Sequence, residues 1–290
     1  MDIIPIALTD QLKPITNIRT RTFFVLDNRL DEDKLRNALE TLVRDHWRKL
    51  GARLVTRKDG LMEYHLPRQF DEKYALFIWS TQEYDHSIDK VPSFPKATPA
   101  DKGPALLPHL RAVESWLQPT DWPCDRKSEK PNVPMLYVHI SLFADATSVG
   151  ISCPHVLVDQ FGMANIVKAW LGLVKGDAPP AMIGVDDDIF GDEKPYKEYT
   201  KKEVVRKGKM RVRRTGEYPF VLMGFIPELI IHSKEDPYTL FLPLPLVQSL
   251  RERHSKTLAE KYGADPGITN GDIVSSILLK VCFQSTGEDV

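Results

Sequence analysis

Three cysteines, Cys124, Cys153 and Cys282, are too few and too scattered across 290 residues to frame a disulfide scaffold or a zinc site. Such sparse use fits a reducing compartment, and a cytoplasmic location without a metal centre is expected. Charge of one sign is also missing. Lys and Arg number 39 against 40 Asp and Glu, so no global field draws the chain toward nucleic acid or an anionic membrane. The longest apolar run, "YPFVLMGFIPELIIH" at 218–232, is shorter than the ~18 residues that read as a membrane span, and Pro227 and Glu228 interrupt it. The opening "MDIIPIALTDQL" has no basic segment ahead of a long apolar one, so no signal peptide is expected. Neither G-x-G-x-x-G nor a Walker-type loop occurs, which removes the usual phosphate cradles. The composition left after these absences, 42% hydrophobic and 27% charged, is that of a soluble packed fold in one large domain or two ordinary ones.

Periodicity then places elements. "TRTFFVLDN" (20–28) is β-rich and reads as a strand. The following "DEDKLRNALETLVRDHWRKLG" carries Leu35, Leu39, Leu42, Val43, Trp47 and Leu50 at helical spacing, with acids in its first turn and Gly51 at its end, which predicts one amphipathic helix. "ARLVTRKDGLMEYHLP" predicts a hairpin turning at Lys58-Asp59-Gly60. Residues 86–134 are proline-heavy, with only a short helical piece expected near "ALLPHLRAVESW". "PMLYVHISLFADATSVGISCPHV" resumes as two strands joined by a polar turn at Ala144 to Thr147. The next helix has an apolar face of Phe161, Met163, Ile166, Val167, Trp170 and Leu171 and stops at Gly176.

From 177 to about 217 the composition turns charged, as in an exposed crossover. Ten Lys or Arg fall between 194 and 214, interleaved with Glu198 and Glu203. Such a run is read first as a solvated face, with contact to phosphate groups as the alternative. A strand-helix unit at "YTLFLPLPLVQSLRERHSKTLAEKYG" and a helix at "TNGDIVSSILLKVCFQ", capped by Thr269 or Asn270, complete the pass. The expected organisation is α+β in two lobes: 1–176, a crossover at 177–235, and the beginning of a second lobe at 236–290. That second set of elements offers too little surface to bury a core alone.

The chemistry concentrates in "GISCPHVLVDQFGMANIVKAW" (150–170), where His155 ends an apolar strand, Asp159 follows four residues on, and Gly162 opens a helix. The spacing alone is weak, since His232 and Asp236 repeat it in a polar stretch. Two readings stay open on the residues themselves. A neutral imidazole at a strand end can act as general base on a hydroxyl or amine. Alternatively, His155 is a buried histidine satisfied by backbone and Asp159 caps the helix. A Cys153–His155 nucleophilic pair would need a direct hydrogen bond, and adjacent same-face residues of one strand stand roughly 6.5 Å apart. His139 and Trp47, Trp79, Trp116 and Trp170 read as packed side chains.

"LYVHISLFADATSVGISCPHVLVDQFGMANIVKAW" resembles the central segment of BAHD-type acyl-CoA-dependent acyltransferases, particularly the fungal branch: two strands, a polar turn, H-x-x-x-D, a glycine and an amphipathic helix. "IALTDQ", "LRNALETLVRDHWRKLGARLV" and "TNGDIVSSILLKV" resemble further parts of that family in the same order. The resemblance implies a chloramphenicol acetyltransferase-like two-lobe fold, with a mixed sheet flanked by helices and an active-site tunnel. It implies His155 as general base and direct acyl transfer from an acyl-CoA co-substrate to a hydroxyl or amine of a small-molecule acceptor, with no permanently bound cofactor. Asp159, with Gly162, would shape the loop and be tied to an arginine. The chain departs from the family at two points. Gln160 stands where glycine commonly follows the aspartate, and the second family motif, Asp-Phe-Gly-Trp-Gly, is absent from the sequence. The second lobe is therefore expected to be incomplete, with a missing lobe or partner chain, or a non-catalytic remnant, as alternatives. A condensation-type domain of a peptide synthetase would carry two adjacent histidines, and Pro154 occupies the first of those positions.

Overall fold

The computed structural model describes residues 1–6, 8–11, 15–92, 94, 103–182, 216, 218–231 and 239–285. The basic run at 194–214, most of the charged crossover, His232 with Asp236, part of "IALTDQ", and the side chain of Cys282 lie outside them. In chain order the strands are β1 (Asp2–Pro5), β2 (Arg19–Leu26), β3 (Arg53–Thr56), β4 (Met62–Leu66), β5 (Ile78–Glu83), β6 (Ala105–Leu107), β7 (Tyr137–Leu142), β8 (Thr147–Pro154) and β9 (Thr239–Phe241). The helices are α1 (Glu32–Thr41), α2 (Glu114–Leu117), α3 (Gln160–Lys175), α4 (Tyr218–Ile231), α5 (Leu244–Tyr262) and α6 (Asn270–Ser285). Contacts divide the chain into two units, Met1–Val91 with Glu114–Glu235, and Pro92–Val113 with Asp236–Val290.

The first unit is built on a mixed four-stranded sheet in the order β2-β8-β7-β5, in which only β5 and β7 run parallel. Alternation assigns its faces. Val138, Ile140 and Leu142 of β7 and Val149, Ile151 and Cys153 of β8 belong to one buried cluster with Leu35, Leu39, Leu42 and Val43 of the α1 region and Met163, Ile166, Ala169 and Trp170 of α3. The indole N–H of Trp170 donates to the Leu35 carbonyl at 2.7 Å, so α3 is fastened to α1 as well as packed on it. The opposite alternation is polar, and Arg19, His139, Ser141, Ser148 and Ser152 are all buried there. Buried polar groups need internal partners, and all of these but Ser148, whose Oγ has none among the described residues, find one. Ser141 Oγ donates to the Trp116 carbonyl, and His139 Nδ1 meets Ser80 Oγ at 2.8 Å.

A second, antiparallel sheet runs β1-β4-β3, and the hairpin expected between β3 and β4 is present. Its burial alternates along β4, with Met62, Tyr64 and Leu66 inward. The single helix expected from 31 to 51 is broken. Asp31 caps α1, but the Trp47 N–H reaches back five residues to the Leu42 carbonyl in a π-helical turn at Leu42–His46, and a 3₁₀ turn at Arg48–Gly51 follows. Trp47 thereby points its indole N–H at the Pro180 carbonyl, 2.8 Å away. Phe161 also departs from expectation. It is 83% exposed, because the first turn of α3 turns that side chain out of the core while Met163 and Ile166 point in. Trp79 and Trp116 are half-buried, and Trp122 joins the buried set.

In the second unit β6 pairs antiparallel with β9, Leu106 opposite Leu240, and α5 packs on α6. Thr269 is the cap of α6. Its hydroxyl accepts from the Asp272 N–H at 3.3 Å while the Asp272 carboxylate accepts from the Thr269 N–H at 2.8 Å, a reciprocal capping box. Within the stretch expected as crossover, the apolar run forms α4, with Pro227 inside it. No helix among the described residues is long and apolar enough to cross a membrane.

Candidate active site

β8 carries the sequence "TSVGISCP", and its final residue, Pro154, stands in register with Arg19 at the start of β2. The ladder continues one step further, where the His155 N–H donates to the Ile18 carbonyl at 2.9 Å. His155 then opens a tight turn closed by the Leu157 N–H on the Pro154 carbonyl at 3.0 Å. Val156 and Leu157 are buried, whereas His155 is half-buried. Among the described residues the imidazole itself has no hydrogen-bond partner, so the ring is not a core histidine consumed by a backbone contact. What the backbone holds is its main chain.

Asp159 takes the helix-cap position. Its backbone is extended (φ −82°, ψ −171°), and its carboxylate accepts from the Gly162 N–H at 2.7 Å. The side chain is exposed, and among the described residues it makes no ion pair. Among the described residues no arginine ties Asp159, and the arginine-rich stretch at 194–214 lies outside them. The arginine beside this loop is Arg19, and its carboxylate partner is Glu129. Arg19 is buried, donates through Nε to Ser152 Oγ and through Nη2 to the carbonyls of Met135 and Ser152, and lies 4.3 Å from the Tyr137 ring centre. All three nitrogens of its guanidinium are used where His155 leaves the sheet, a geometric reason for a planar multi-donor group there.

Gly162 has a steric rationale. A Cβ there would fall 2.7 Å from the Val158 Cβ, so the third helical residue must be glycine if the chain is to double back this closely. Gln160, where the family has glycine, hydrogen bonds through its amide nitrogen to Thr22 Oγ1 at 3.1 Å and so ties the helix start to β2.

Cys153 is fully buried, and desolvation pushes its thiol up to about 12, with Arg19 pulling weakly the other way. It is a neutral core residue, as expected, and not the partner of His155. His139, also buried, has its pKa lowered by desolvation and is held neutral against Ser80. Two surface clefts, one lined by Leu54, Arg126, Glu129 and Met135 and the other by Arg29, Glu83, Tyr84 and His86, do not include His155. Among the described residues no cluster of His, Cys, Asp or Glu could hold a metal ion. Two contributors to the loop, Arg19 and Tyr64, were not singled out in the sequence. Only the inward alternation of Tyr64, whose hydroxyl must find a partner when buried, signalled one of them.

No family model matches the chain. Among curated proteins it is 27% identical over 277 residues to the acetyltransferase adrJ of Penicillium roqueforti, covering 90% of this chain and 53% of that protein. It is 32% identical over 203 residues to calD of Penicillium decumbens, named a transcriptional regulator, covering 67% of this chain and 41% of that protein. The chain thus spans about half the length of the curated relatives it matches. Among solved structures, F. sporotrichioides TRI101 complexed with coenzyme A and T-2 overlays with a TM-score of 0.39 at 13% identity, over 61% of this chain and 42% of that one. A likeness at that level carries no argument about mechanism. The sequence similarity to fungal proteins named acetyltransferases stands on its own.

Proposed function

We propose that the chain carries the general base of an acyltransferase that moves an acyl group from an acyl-CoA thioester to a hydroxyl or amine of a small-molecule acceptor of the secondary-metabolite type. The single observation that carries this reading is the state of His155: main chain pinned as the last rung of β8, imidazole half-buried and unclaimed by any described side chain. A base needs that combination of a fixed backbone and a free ring.

In the proposed reaction the imidazole takes the proton of the acceptor O–H or N–H as its lone pair attacks the thioester carbonyl. The tetrahedral intermediate then collapses with cleavage of the C–S bond. The coenzyme A sulfur leaves and receives the proton from the imidazolium, so the products are the ester or amide and the free thiol. No acyl-enzyme forms, consistent with Cys153 lying neutral in the core. Asp159 and Gly162 shape the loop and do not relay the proton. Similarity to fungal acetyltransferases supports the reaction class.

Release of free thiol from acetyl-CoA, malonyl-CoA and longer acyl-CoAs, with a mixed set of alcohols and amines, tests the reading. Wild-type turnover should fall by about 10²- to 10⁴-fold in His155→Ala. Equal release by both proteins would reject His155 as base. An absence of both thiol release and coenzyme A binding would favour a non-catalytic or partner-dependent half.

A further inference from the structure

The turn that presents His155 is held from outside by two hydrogen bonds among the described residues. One is the His155 N–H on the Ile18 carbonyl at 2.9 Å. The other comes from the second sheet: the hydroxyl of Tyr64 on β4 donates to the Val156 carbonyl at 2.6 Å, across 92 residues of sequence. Tyr64 is 2% exposed and Val156 is 5% exposed, so water does not compete for either group. The Tyr64 ring is covered on one face by Lys49, whose Nζ lies 4.7 Å from the ring centre. Burial raises the phenol pKa, and the hydroxyl remains a donor across the working range.

The two bonds act on particular peptide planes. Because each peptide unit is planar, fixing one N–H or C=O fixes the whole unit. The bond to Ile18 sets the plane entering His155, and the bond from Tyr64 sets the plane leaving Val156. Only the dihedral angles of these two residues lie between the fixed planes. The direction in which the His155 side chain departs from the sheet is thereby bounded at both ends.

We propose that Tyr64 is a positioning residue, its hydroxyl aiming His155 through the Val156 carbonyl; this rests on the reading of His155 as the base. The phenol touches neither acceptor nor thioester. It acts by holding the turn, and a small displacement of a base from its line of attack costs large factors in rate.

The test compares Tyr64→Phe with Tyr74→Phe. Phenylalanine keeps the ring in each case. Tyr74 serves as control because its hydroxyl makes a similar bond, to the Gly51 carbonyl at 2.8 Å, away from the turn. Two readouts are taken on the 290-residue chain: hydrogen exchange at the amides of 155–157, and steady-state thiol release from acetyl-CoA. In Tyr64→Phe, exchange at the turn should accelerate on the order of tenfold. Its kcat should fall by roughly 10- to 100-fold with KM for acetyl-CoA nearly unchanged. In Tyr74→Phe both readouts should stay at the wild-type level. Unchanged exchange in Tyr64→Phe overturns the proposal, as does faster exchange with unchanged kcat, or an equal loss in the control. If the wild type releases no thiol, the chain alone is not a working acyltransferase, and the exchange comparison alone decides whether Tyr64 holds the turn.

Discussion

The His155 amide donates to the Ile18 carbonyl at 2.9 Å, one step beyond the register pair Arg19 and Pro154. The strand pairing thus ends on the histidine, and the chain leaves the sheet at the residue expected to do the chemistry.

Asp159 caps α3 through one hydrogen bond and makes no ion pair among the described residues. Asp159→Asn keeps an acceptor in that place and should leave thermal stability and thiol release close to wild type. Asp159→Ala should lose about 1 kcal/mol, the usual worth of an N-cap. Denaturant melts of both variants, with thiol release alongside, check this. A large activity loss in the stable Asn variant would show that the carboxylate does more than cap.

Arg19 and Glu129 form a pair in which the arginine side chain is fully buried. Arg19→Met should destabilise by roughly 3–5 kcal/mol, because it removes the buried partner of Glu129, leaving it only Arg126 at 3.9 Å, and takes the donors from Ser152 Oγ and the Met135 carbonyl. Urea unfolding followed by tryptophan fluorescence would measure it. A loss below ~1 kcal/mol would mean that the pair behaves as a surface ion pair.

His139 is buried with a lowered pKa, caused by desolvation. The unfolded chain binds a proton at this residue below about pH 6.5, and the folded chain resists doing so. Its contribution is therefore present above pH 6.5 and lost as pH falls through the lowered folded value. The urea midpoint should drop between pH 7 and pH 5, before most carboxylates titrate, and His139→Asn should flatten that slope. An equal slope in both proteins would refute the assignment.

The Cys153 thiol stands at about 12 because it is buried, whereas Cys124 is exposed. At pH 8 iodoacetamide should label Cys124 and spare Cys153 until denaturant is added, as read by peptide mass mapping. The same shift makes stability fall as pH rises above the ordinary thiol range, near 8.5, toward 12, since only the unfolded chain ionises there.

Local patterns carried much of this fold. The spacing of Leu35, Leu39 and Leu42, the alternation along β7 and β8, and the cap-and-glycine signals around α3 each concern residues close in sequence. What escaped the sequence depends on distant partners. β6 is three residues long and is defined by β9, more than a hundred residues away. Arg19 reads as an ordinary strand residue until Ser152, Met135 and Glu129 surround it. The π-helical turn before Trp47 keeps the hydrophobic spacing of a plain helix, so periodicity could not reveal it. The spacing of His155, Asp159 and Gly162 was legible, and so was the helix-capping alternative for Asp159. Tyr64 was not linked to them, because its bond crosses between sheets.

The pairing of β6 with β9 also sets an order of events during synthesis. By the end of α3 the ribosome has delivered every strand of the central sheet together with α1 and α3, so that core can close early. Residues 105–107 have no strand to join until 239–241 emerge, a wait on the order of ten seconds at ordinary elongation rates. During that interval Ala105–Leu107 is an unpaired edge bearing an outward leucine, Leu106, the type of surface that recruits other nascent chains. Slowing translation after α3 should therefore lower the soluble yield of this chain more than slowing it before α1.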